Sequence, residues 1–251
     1  MMESTWVDVG GRRIHTRWNP SATATDQPPI VLVHGWGVSG GYFTPTAERL
    51  AQRGYAVYVP DLPGHGKSDT ADAPLDIAGL ADVLIEWLDA MGIGRADWVG
   101  HSMGCQMVVD VSVRYPSRVR RLALMGLTTD PAHCSAPAQF FRALYACAFD
   151  RPGLLYYLIK DYMRMGTRLW PEALAMLRDP VEEKLTKLTQ PVLLMRGQRD
   201  AIAPQRWLER AAQLARAERV VTIPKWGHNI NYSAPDAVVA ELCDFLDPPA
   251  S

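Results

Sequence analysis

Short apolar runs alternate along this chain with longer segments whose hydrophobic residues recur at helical spacing. The runs are rich in Val, Leu and other strand-forming residues, and they predict buried strands at 30–33, 56–59, 97–99, 122–125, 192–195 and 220–223. The amphipathic segments predict helices near 44–53, 75–91, 103–115, 205–216 and 235–246. Strands that alternate with helices indicate a mostly parallel sheet whose two faces are covered by the crossover helices.

Two more strands are predicted at the start of the chain. Residues 6–9 and 12–17 flank the pair Gly10-Gly11, and two glycines between extended segments are typical of a β-hairpin turn. Together with the six later runs, this hairpin predicts an α/β fold built on a mostly parallel, eight-stranded sheet.

The alternation is interrupted between Asp130 and Lys187. This stretch contains no predicted strand, yet it carries eight of the chain's 22 aromatic residues. We interpret 130–187 as a helical lid over one end of the sheet, with 1–129 and 188–251 forming the core domain. The alternative is a set of peripheral helices whose aromatic side chains fill the core. The lid is favoured because the alternation of strand and helix resumes directly after residue 187.

Composition and charge are those of an ordinary globular protein. Of its 251 residues, 48% are hydrophobic, and Lys+Arg (26) nearly balances Asp+Glu (27) to leave a formal net charge of -1. No long-range field therefore attracts nucleic acid or an anionic membrane, and neither is expected as a partner. The sequence shows no signal-peptide pattern and no uninterrupted apolar run of about 18 residues. We expect a cytoplasmic protein.

The residues that usually hold metals or form disulfides are dispersed. The four cysteines, at 105, 134, 147 and 243, are too few and too scattered for a disulfide framework or a zinc site. The six histidines lack paired ligand spacing. We therefore expect no metal and no organic cofactor, and we interpret Cys105 as core packing.

Two glycine-rich stretches mimic nucleotide-binding motifs. Residues 35–40 fit G-x-G-x-x-G after a strand, and Asp61 lies near the place of a ribose-binding acid. However, His34 stands between the strand and the first glycine, and Asp61 is followed by Leu-Pro-Gly rather than by a helix. The triplet at 66–68, Gly-Lys-Ser, resembles the end of a phosphate-binding loop, but Asp61 occupies the position of its first glycine. We reject both nucleotide interpretations.

A stronger motif lies between the strand at 97–99 and the helix that follows it. Residues 100–104, Gly-His-Ser-Met-Gly, fit G-x-S-x-G. A serine at a sharp strand-to-helix turn has a strained backbone, and side chains at the flanking glycines would clash there. The turn exposes the hydroxyl and directs the helix N-terminus at the reacting carbonyl. Ser102 is therefore the candidate nucleophile.

A serine hydroxyl needs a base, and the base needs an acid to orient it. Asp200 follows the strand at 192–195, and His228 follows the strand at 220–223. The carboxyl ends of parallel strands share one edge of the sheet, so both loops are expected beside Ser102. The order Ser, Asp, His is the order expected for this motif. Asp130, just after the strand at 122–125, is a weaker candidate for the acid.

With these residues in place, the chain resembles the α/β-hydrolase family over nearly its whole length. The stretches that carry the resemblance are His34-Gly35-Trp36-Gly37, Asp61-Leu62-Pro63-Gly64-His65-Gly66-Lys67-Ser68, the serine elbow, Gly197-x-x-Asp200 and Gly227-His228. The resemblance implies an α/β-hydrolase fold with a helical lid inserted after the sixth strand. It also implies an oxyanion hole formed by the backbone N–H groups of Trp36 and Met103, with His34 and Asp61 shaping the loops around it.

Two branches of the family are the most similar. The His-Gly-Trp-Gly stretch and the short lid resemble the bacterial carboxylesterases that trim pimeloyl-carrier-protein methyl ester, and they also resemble the meta-cleavage-product C–C hydrolases. The lid matches neither branch closely enough to transfer a substrate. Because the nucleophile is Ser102, the resemblance does not extend to haloalkane dehalogenases and epoxide hydrolases, which use Asp there.

Substrate specificity is expected to lie in the lid. Its aromatic and Met residues offer apolar walls that favour a medium-chain or aromatic acyl group. The substrate-binding candidates are Phe140, Phe141, Tyr145, Tyr162 and Met163. The lid also carries basic residues that would suit an acidic acyl-carrier protein, namely Arg142, Arg151, Arg164 and Arg168. A solvated lid surface is the favoured alternative, because the acids Asp150, Asp161 and Glu172 are interleaved with them.

Three functional hypotheses follow from these residues. The first is a serine hydrolase that cleaves small-molecule carboxylic esters through an acyl-enzyme on Ser102. The second is a thioesterase or C–C bond hydrolase with the same triad and a different pocket. The third is a ligand-binding receptor on a hydrolase scaffold, which a complete triad does not exclude but which nothing in the sequence favours.

Overall fold

The computed structural model describes residues 2–19, 27–128, 130–131, 141–142, 145–146 and 148–247. Within these residues, eight strands form one sheet in the order β1-β2-β4-β3-β5-β6-β7-β8. The strands are β1 Glu3–Val9, β2 Arg12–Trp18, β3 Ile30–Val33, β4 Val57–Pro60, β5 Ala96–His101, β6 Val119–Met125, β7 Val192–Gly197 and β8 Arg219–Ile223. Strand β2 pairs antiparallel with β1 and β4, and every other pairing is parallel. The predicted mostly parallel, eight-stranded sheet is confirmed.

The antiparallel edge comes from the predicted hairpin. The last pair of its ladder joins Val9 to Arg12, so Gly10 and Gly11 form a two-residue turn. Both glycines have positive φ, +57° and +79°, which only glycine adopts without steric cost.

Five of the helices in the described residues begin and end within two residues of the five predicted segments. The helix bounds are α1 Thr44–Gln52, α2 Ile77–Ala90, α3 Met103–Arg114, α4 Leu154–Met165, α5 Leu169–Arg178, α6 Val181–Leu185, α7 Gln205–Ala215, α8 Ile230–Ser233 and α9 Pro235–Leu246. Helix α2 begins two residues later than its apolar pattern predicts, because the side chain of Asp76 caps it by accepting a hydrogen bond from Gly79 N at 2.8 Å.

The sheet divides the interior into two apolar layers. Successive residues of a strand point to opposite faces, so Val31 and Val33 of β3 enter one layer while Ile30 and Leu32 enter the other. One layer includes Trp87 and Leu88 of α2 with Val108 of α3. The other includes Leu50 of α1 with Leu242 and Phe245 of α9. Burial on both faces explains why these strands appear in the sequence as continuous apolar runs.

Helices α4, α5 and α6 follow β6 and precede β7, within the stretch predicted as a lid. The described residues of 130–187 contain no strand. Helix α4 buries Leu154 and Met165, whereas Val181 and Leu185 of α6 join the same apolar layer as α2 and α3. The boundaries of the lid and core domains stay a prediction. Within the described residues, no helix has the length and apolar character needed to cross a bilayer.

Candidate active site

The loops after β5, β7 and β8 lie at one edge of the sheet. Strands β5, β6, β7 and β8 are consecutive and parallel, so their carboxyl ends point the same way. Ser102 directly follows the last residue of β5, Asp200 lies three residues after β7, and His228 lies five residues after β8. The fold therefore gathers the three predicted residues at a single edge, as parallel α/β sheets do with their sites.

Ser102 occupies a strained turn between β5 and α3. Its φ is 56° and its ψ is −125°, a positive-φ conformation that costs a non-glycine residue energy. A Cβ added at Gly100 would lie 2.7 Å from the backbone of Cys105, and one at Gly104 would lie 2.3 Å from the carbonyl oxygen of Val33. Both glycines are therefore required where the turn passes against α3 and β3.

His228 and Asp200 form a buried pair. Nδ1 of His228 lies 2.8 Å from Oδ2 of Asp200, while Oδ1 of Asp200 accepts hydrogen bonds from the backbone N–H groups of Ile202 and Ala203 at 2.9 and 3.0 Å. Nε2 of His228 is buried and makes no hydrogen bond within the described part of the chain. The imidazole is thus oriented through one nitrogen, and the other is left without a partner to take up a proton.

The charge balance of this pair favours its ionised form. Burial lowers the pKa of His228, but the charge of Asp200 and its hydrogen bond outweigh burial, so the pKa lies above the ordinary 6.5. Burial likewise raises the pKa of Asp200, but the charge of His228 and the hydrogen bonds it accepts bring it below the ordinary 3.8. Asp200 therefore stays a carboxylate that stabilises a protonated His228.

The predicted oxyanion loop lies against the nucleophile. A Cβ at Gly35 would come within 2.8 Å of Cβ of Ser102. Leu62 N donates to Nε2 of His34 at 3.0 Å, so Nδ1 of His34 carries the proton and donates to the carbonyl oxygen of Gly35 at 2.9 Å. In a trans peptide the C=O and N–H point in opposite directions, so this bond also orients the N–H of Trp36. Burial, with the neighbouring His65, lowers the pKa of His34 to about 3 and keeps the ring neutral.

Asp61 is a buried carboxylate that joins β2 to the loops that follow β3 and β4. Its Oδ1 accepts from Gly40 N at 2.8 Å and from Arg17 Nη1 at 2.7 Å, and its Oδ2 contacts Nδ1 of His15 at 2.8 Å and accepts from Lys67 N at 3.0 Å. Burial raises the pKa of Asp61, yet these donors together lower it well below 3.8. The carboxylate is saturated by the chain itself, which leaves no lone pair for a ribose.

The weaker acid candidate, Asp130, lies among cations. Its Oδ2 is 3.4 Å from Nη1 of Arg142 and also pairs with Nη2 of Arg206. Asp200, by contrast, contacts the imidazole of His228 directly. The geometry thus distinguishes two carboxylates that follow neighbouring strands.

The lid candidates lie in different environments. The ring of Tyr162 packs against that of Trp36 with centroids 5.6 Å apart, and a Cβ at Gly37 would overlap it, so Tyr162 lies over the oxyanion loop. The side chains of Phe141, Tyr145 and Met163 are 68%, 55% and 79% exposed. Phe140 lies outside the described residues. Their role in substrate binding stays a prediction.

Two contacts that attach helices α4 and α5 to this loop were not anticipated from the sequence. Trp36 Nε1 donates to the carbonyl oxygen of Leu169 at 2.9 Å, and Ser39 Oγ donates to Oδ2 of Asp161 at 2.7 Å. Asp161 is 2% exposed. The sequence signal for the second contact was that Asp161 is spaced seven residues after Leu154 and four before Met165, on the apolar side of α4, but its partner lies 122 residues away in the chain.

Comparison with known proteins agrees with the fold. Residues 30–241 match the Alpha/beta hydrolase family. The chain is 31% identical over 247 residues to the pimeloyl-[acyl-carrier protein] methyl ester esterase of Neisseria meningitidis serogroup B / serotype 15 (strain H44/76), with 87% of this chain and 92% of that protein covered. A protein of the same name from Stenotrophomonas maltophilia (strain R551-3) is 29% identical over 249 residues, with 87% and 93% covered.

Solved structures give the same result for the fold. The enol-lactonase from Burkholderia xenovorans LB400 superposes with a TM-score of 0.80 at 20% identity, covering 96% of this chain and 99% of that chain. At this identity the likeness concerns the fold alone. Because the family match covers residues 30–241, which are 212 of the 251 residues, and includes all three loops at the carboxyl edge, the chain belongs to the alpha/beta hydrolase family.

Proposed function

We propose that this carboxylic ester hydrolase cleaves its substrate through an acyl-enzyme on Ser102, with His228 as the base and Asp200 as the residue that orients it. The observation that carries the proposal is the buried His228–Asp200 pair, whose Nε2 has no partner in the described chain, at the same sheet edge as the strained serine. In this structure Nε2 makes no hydrogen bond to Ser102; catalytic hydrogen bonds often tighten only when substrate is bound.

The reaction has two halves. As Oγ of Ser102 attacks the ester carbonyl carbon, its proton passes to Nε2 of His228. The N–H groups of Trp36 and Met103 donate to the oxyanion, each contributing about 3 kcal/mol to stabilisation of the transition state. The tetrahedral intermediate collapses, the C–O bond to the alcohol breaks, and His228 returns the proton to the leaving alkoxide. Water then attacks the acyl-enzyme with the same base and releases the acid and Ser102.

We propose a medium-chain acyl methyl ester carried on an acyl-carrier protein as the substrate. The names of the relatives support this substrate, and so does the outer surface of the lid. The exposed charges on α4 and its flanks are all basic, and we call this set the basic lid face: Arg151, Lys160, Arg164 and Arg168. Lys160 and Arg164 are four residues apart on α4 and therefore lie on the same side of that helix.

The three acids interleaved with these bases do not neutralise this face. Asp161 and Glu172 are 2% and 9% exposed, and Asp150 accepts hydrogen bonds from Asn229 and Ser233. The sequence alternation of acids and bases favoured a mixed, solvated surface, but two of the three acids are buried. Arg142, which binds Asp130, is excluded from the face. A positive lid surface is complementary to an acidic carrier protein. A cytoplasmic location is part of this proposal.

The catalytic half of the proposal is tested with p-nitrophenyl esters from C2 to C12. Ser102→Ala should abolish turnover by several orders of magnitude while circular dichroism shows a folded protein. Peak turnover at medium chain length supports the acyl preference. Near-normal activity of the variant would overturn the nucleophile assignment. A clear preference for thioesters of equal chain length would favour a thioesterase, and single-turnover trapping of ligand would favour a receptor.

The carrier half is tested by comparing a methyl ester bound to an acyl-carrier protein with the same ester free in solution. Lys160→Glu/Arg164→Glu should raise KM for the carrier-bound ester about tenfold and leave the free ester unchanged, because only the carrier contacts this face. Arg95→Glu is the matched control, since Arg95 is exposed directly before β5, at the amino-terminal edge of the sheet. Equal effects of the two variants on the carrier-bound ester would contradict the proposal.

A further inference from the structure

A buried chain of hydrogen bonds joins the oxyanion loop to the loop that carries His228. Gly35 N donates to the hydroxyl of Tyr42 at 3.1 Å, the hydroxyl lies 2.7 Å from Nδ1 of His101, and Nε2 of His101 lies 3.0 Å from the carbonyl oxygen of His228. Tyr42 is 0% exposed and His101 is 1% exposed. Water therefore does not compete for these bonds, and they are stronger than the same bonds at the surface.

The two groups at the ends of this hydrogen-bond chain determine the direction of every hydrogen bond in it. A carbonyl oxygen only accepts, so Nε2 of His101 carries a proton and donates to His228. Nδ1 of His101 is then an acceptor, and it takes the hydroxyl proton of Tyr42. The oxygen of Tyr42 in turn accepts from Gly35. Gly35 N thus only donates and the carbonyl of His228 only accepts, while Tyr42 and His101 each donate once and accept once, so a single arrangement satisfies them all.

Both side chains keep the protonation states that this arrangement needs. Burial raises the pKa of Tyr42 well above 10, so the hydroxyl keeps its proton. Burial, with the neighbouring His228, lowers the pKa of His101 to about 3, so its ring is neutral over the working range. A neutral ring matters because the His101 and His228 rings lie 4.7 Å apart, and a charge on His101 would oppose the proton that His228 takes up.

The groups at the two ends belong to the reaction. Gly35 precedes Trp36, the proposed oxyanion donor, and lies against Ser102. The carbonyl at the other end belongs to His228 itself. His101 is also the residue before Ser102 in the chain, so the network passes directly behind the nucleophile. A displacement of about 1 Å at a catalytic group costs roughly 10²-fold in rate, which gives such a link a function.

We propose that Tyr42 and His101 are positioning residues that hold the oxyanion loop and the His228 loop in register across Ser102. This inference rests on the proposed function of Ser102 and His228 and adds two residues to it. Neither side chain is proposed to contact substrate. Their effect belongs to the transition state, where the oxyanion and the protonated His228 exist together, so it should appear in kcat rather than in KM.

The first test removes the central hydroxyl with Tyr42→Phe. This change leaves Gly35 N–H and Nδ1 of His101 unpaired, and kcat for a p-nitrophenyl ester should fall about tenfold with KM changed less than twofold. Tyr55→Phe is the matched control. Tyr55 is also buried, and its hydroxyl donates to Asp247 at 2.5 Å. It precedes β4 and therefore lies at the amino-terminal edge of the sheet, away from the site. The control should lose stability without losing kcat.

The second test separates positioning from packing at His101. A glutamine there can accept through Oε1 and donate through Nε2, whereas a leucine of similar size can do neither. His101→Leu should lower kcat as Tyr42→Phe does, and the double variant should lose little more, because one chain is broken in each case. His101→Gln should recover most of the activity. Equal losses for the Gln and Leu variants, or additive losses in the double variant, would overturn the proposal.

A measurement that needs no ester substrate allows this proposal and the proposed function to fail separately. A fluorophosphonate probe reacts with an activated serine, and intact mass measures its rate at Ser102 without any ester substrate. If wild type reacts but hydrolyses no tested ester, the substrate assignment fails, and the network is judged by the labelling rates of the same variants. Wild-type labelling rates in folded Tyr42→Phe would overturn the network. No labelling of wild type would overturn both proposals.

Discussion

The candidate site depends on buried polar atoms that each meet a specific partner. Asp200 accepts from two backbone N–H groups and from His228, and His34 bridges Leu62 and Gly35. An unpartnered buried polar atom costs about 1–3 kcal/mol, so replacing one member of such a set disturbs the others. At the scale of single residues, the identity of the partner therefore decides the role of a carboxylate or an imidazole.

The two carboxylates considered as the acid should respond very differently to amidation. Asp200→Asn should lower kcat for a p-nitrophenyl ester by about 10⁴-fold, because an amide cannot hold His228 in the required tautomer. Asp130→Asn should lower kcat less than tenfold, since Asp130 pairs with Arg142 and Arg206. Steady-state kinetics of both purified variants test this, and the reverse ranking would move the acid role to Asp130.

The pH dependence of kcat/KM should report His228. A protonated imidazole cannot accept the proton of Ser102, so activity should fall as the pH drops through the pKa of His228, which lies above 6.5. In Asp200→Asn the residual activity should have its acid limb at lower pH, because the anion that raises this pKa is gone. Rates between pH 5 and 9 test this; an acid limb below pH 6 in wild type would contradict it.

At the scale of elements, the turn between β5 and α3 is defined by backbone contacts that leave no space for a side chain. Gly104 faces the backbone of β3 and Gly100 faces the start of α3. The same turn gives Ser102 its positive φ. Energy stored in this turn is offset by the apolar burial of the strand and helix on either side of it.

Gly104→Ala should therefore be strongly destabilising. The added methyl group would lie 2.3 Å from the carbonyl oxygen of Val33, and backbone cannot move away as a flexible side chain can. We expect a loss of about 3 kcal/mol or more in the free energy of unfolding. Gly94→Ala is the control, because a Cβ at Gly94 meets no atom within 4 Å and its φ is not positive. Urea unfolding of both variants is the measurement, and similar midpoints would contradict the steric argument.

At the scale of the whole molecule, two apolar layers support a sheet whose carboxyl edge carries a polar interior. Five buried histidines lie at or near that edge, namely His15, His34, His65, His101 and His228. Helices α5 and α4 are attached to the same edge through Trp36 and Ser39. Acid should therefore affect stability through the site as well as through the surface.

Stability should decline on mild acidification. The pKa values of His34 and His101 are about 3 in the folded chain against 6.5 in the unfolded chain. Between pH 6.5 and 5 the unfolded state binds protons that the folded state does not, so the free energy of unfolding should fall by roughly 1 kcal/mol per pH unit for each ring. His228 acts in the opposite sense near pH 6.5, because its raised pKa lets the folded state bind the proton before the unfolded state does. Urea unfolding should show about half the slope in His101→Gln; an unchanged slope would contradict this assignment.

Much of the fold is predictable because its signals are local. Apolar runs, helical periodicity and the Gly10-Gly11 turn are set by spacing along the chain, so the strands agree with the structure to within three residues. Residues 100–104 predict their turn in the same way, because two glycines that flank a serine at this spacing are typical of a sharp strand-to-helix turn. The meeting of Ser102, Asp200 and His228 at one edge is also predictable from the sequence, since parallel strands bring the loops that follow them to the same edge of the sheet.

Contacts between distant positions depended on the tertiary structure. The pairing of Asp200 rather than Asp130 with His228, and the Tyr42–His101 link, join loops whose relative positions no local pattern specifies. The lid acids Asp161 and Glu172 alternate with bases in the sequence, yet both point inward because partners from the core meet them there. The sequence by itself thus determined the architecture and the candidate nucleophile, because periodicity and turn geometry are local. The partners of the buried polar groups were decided only when the chain brought distant residues together.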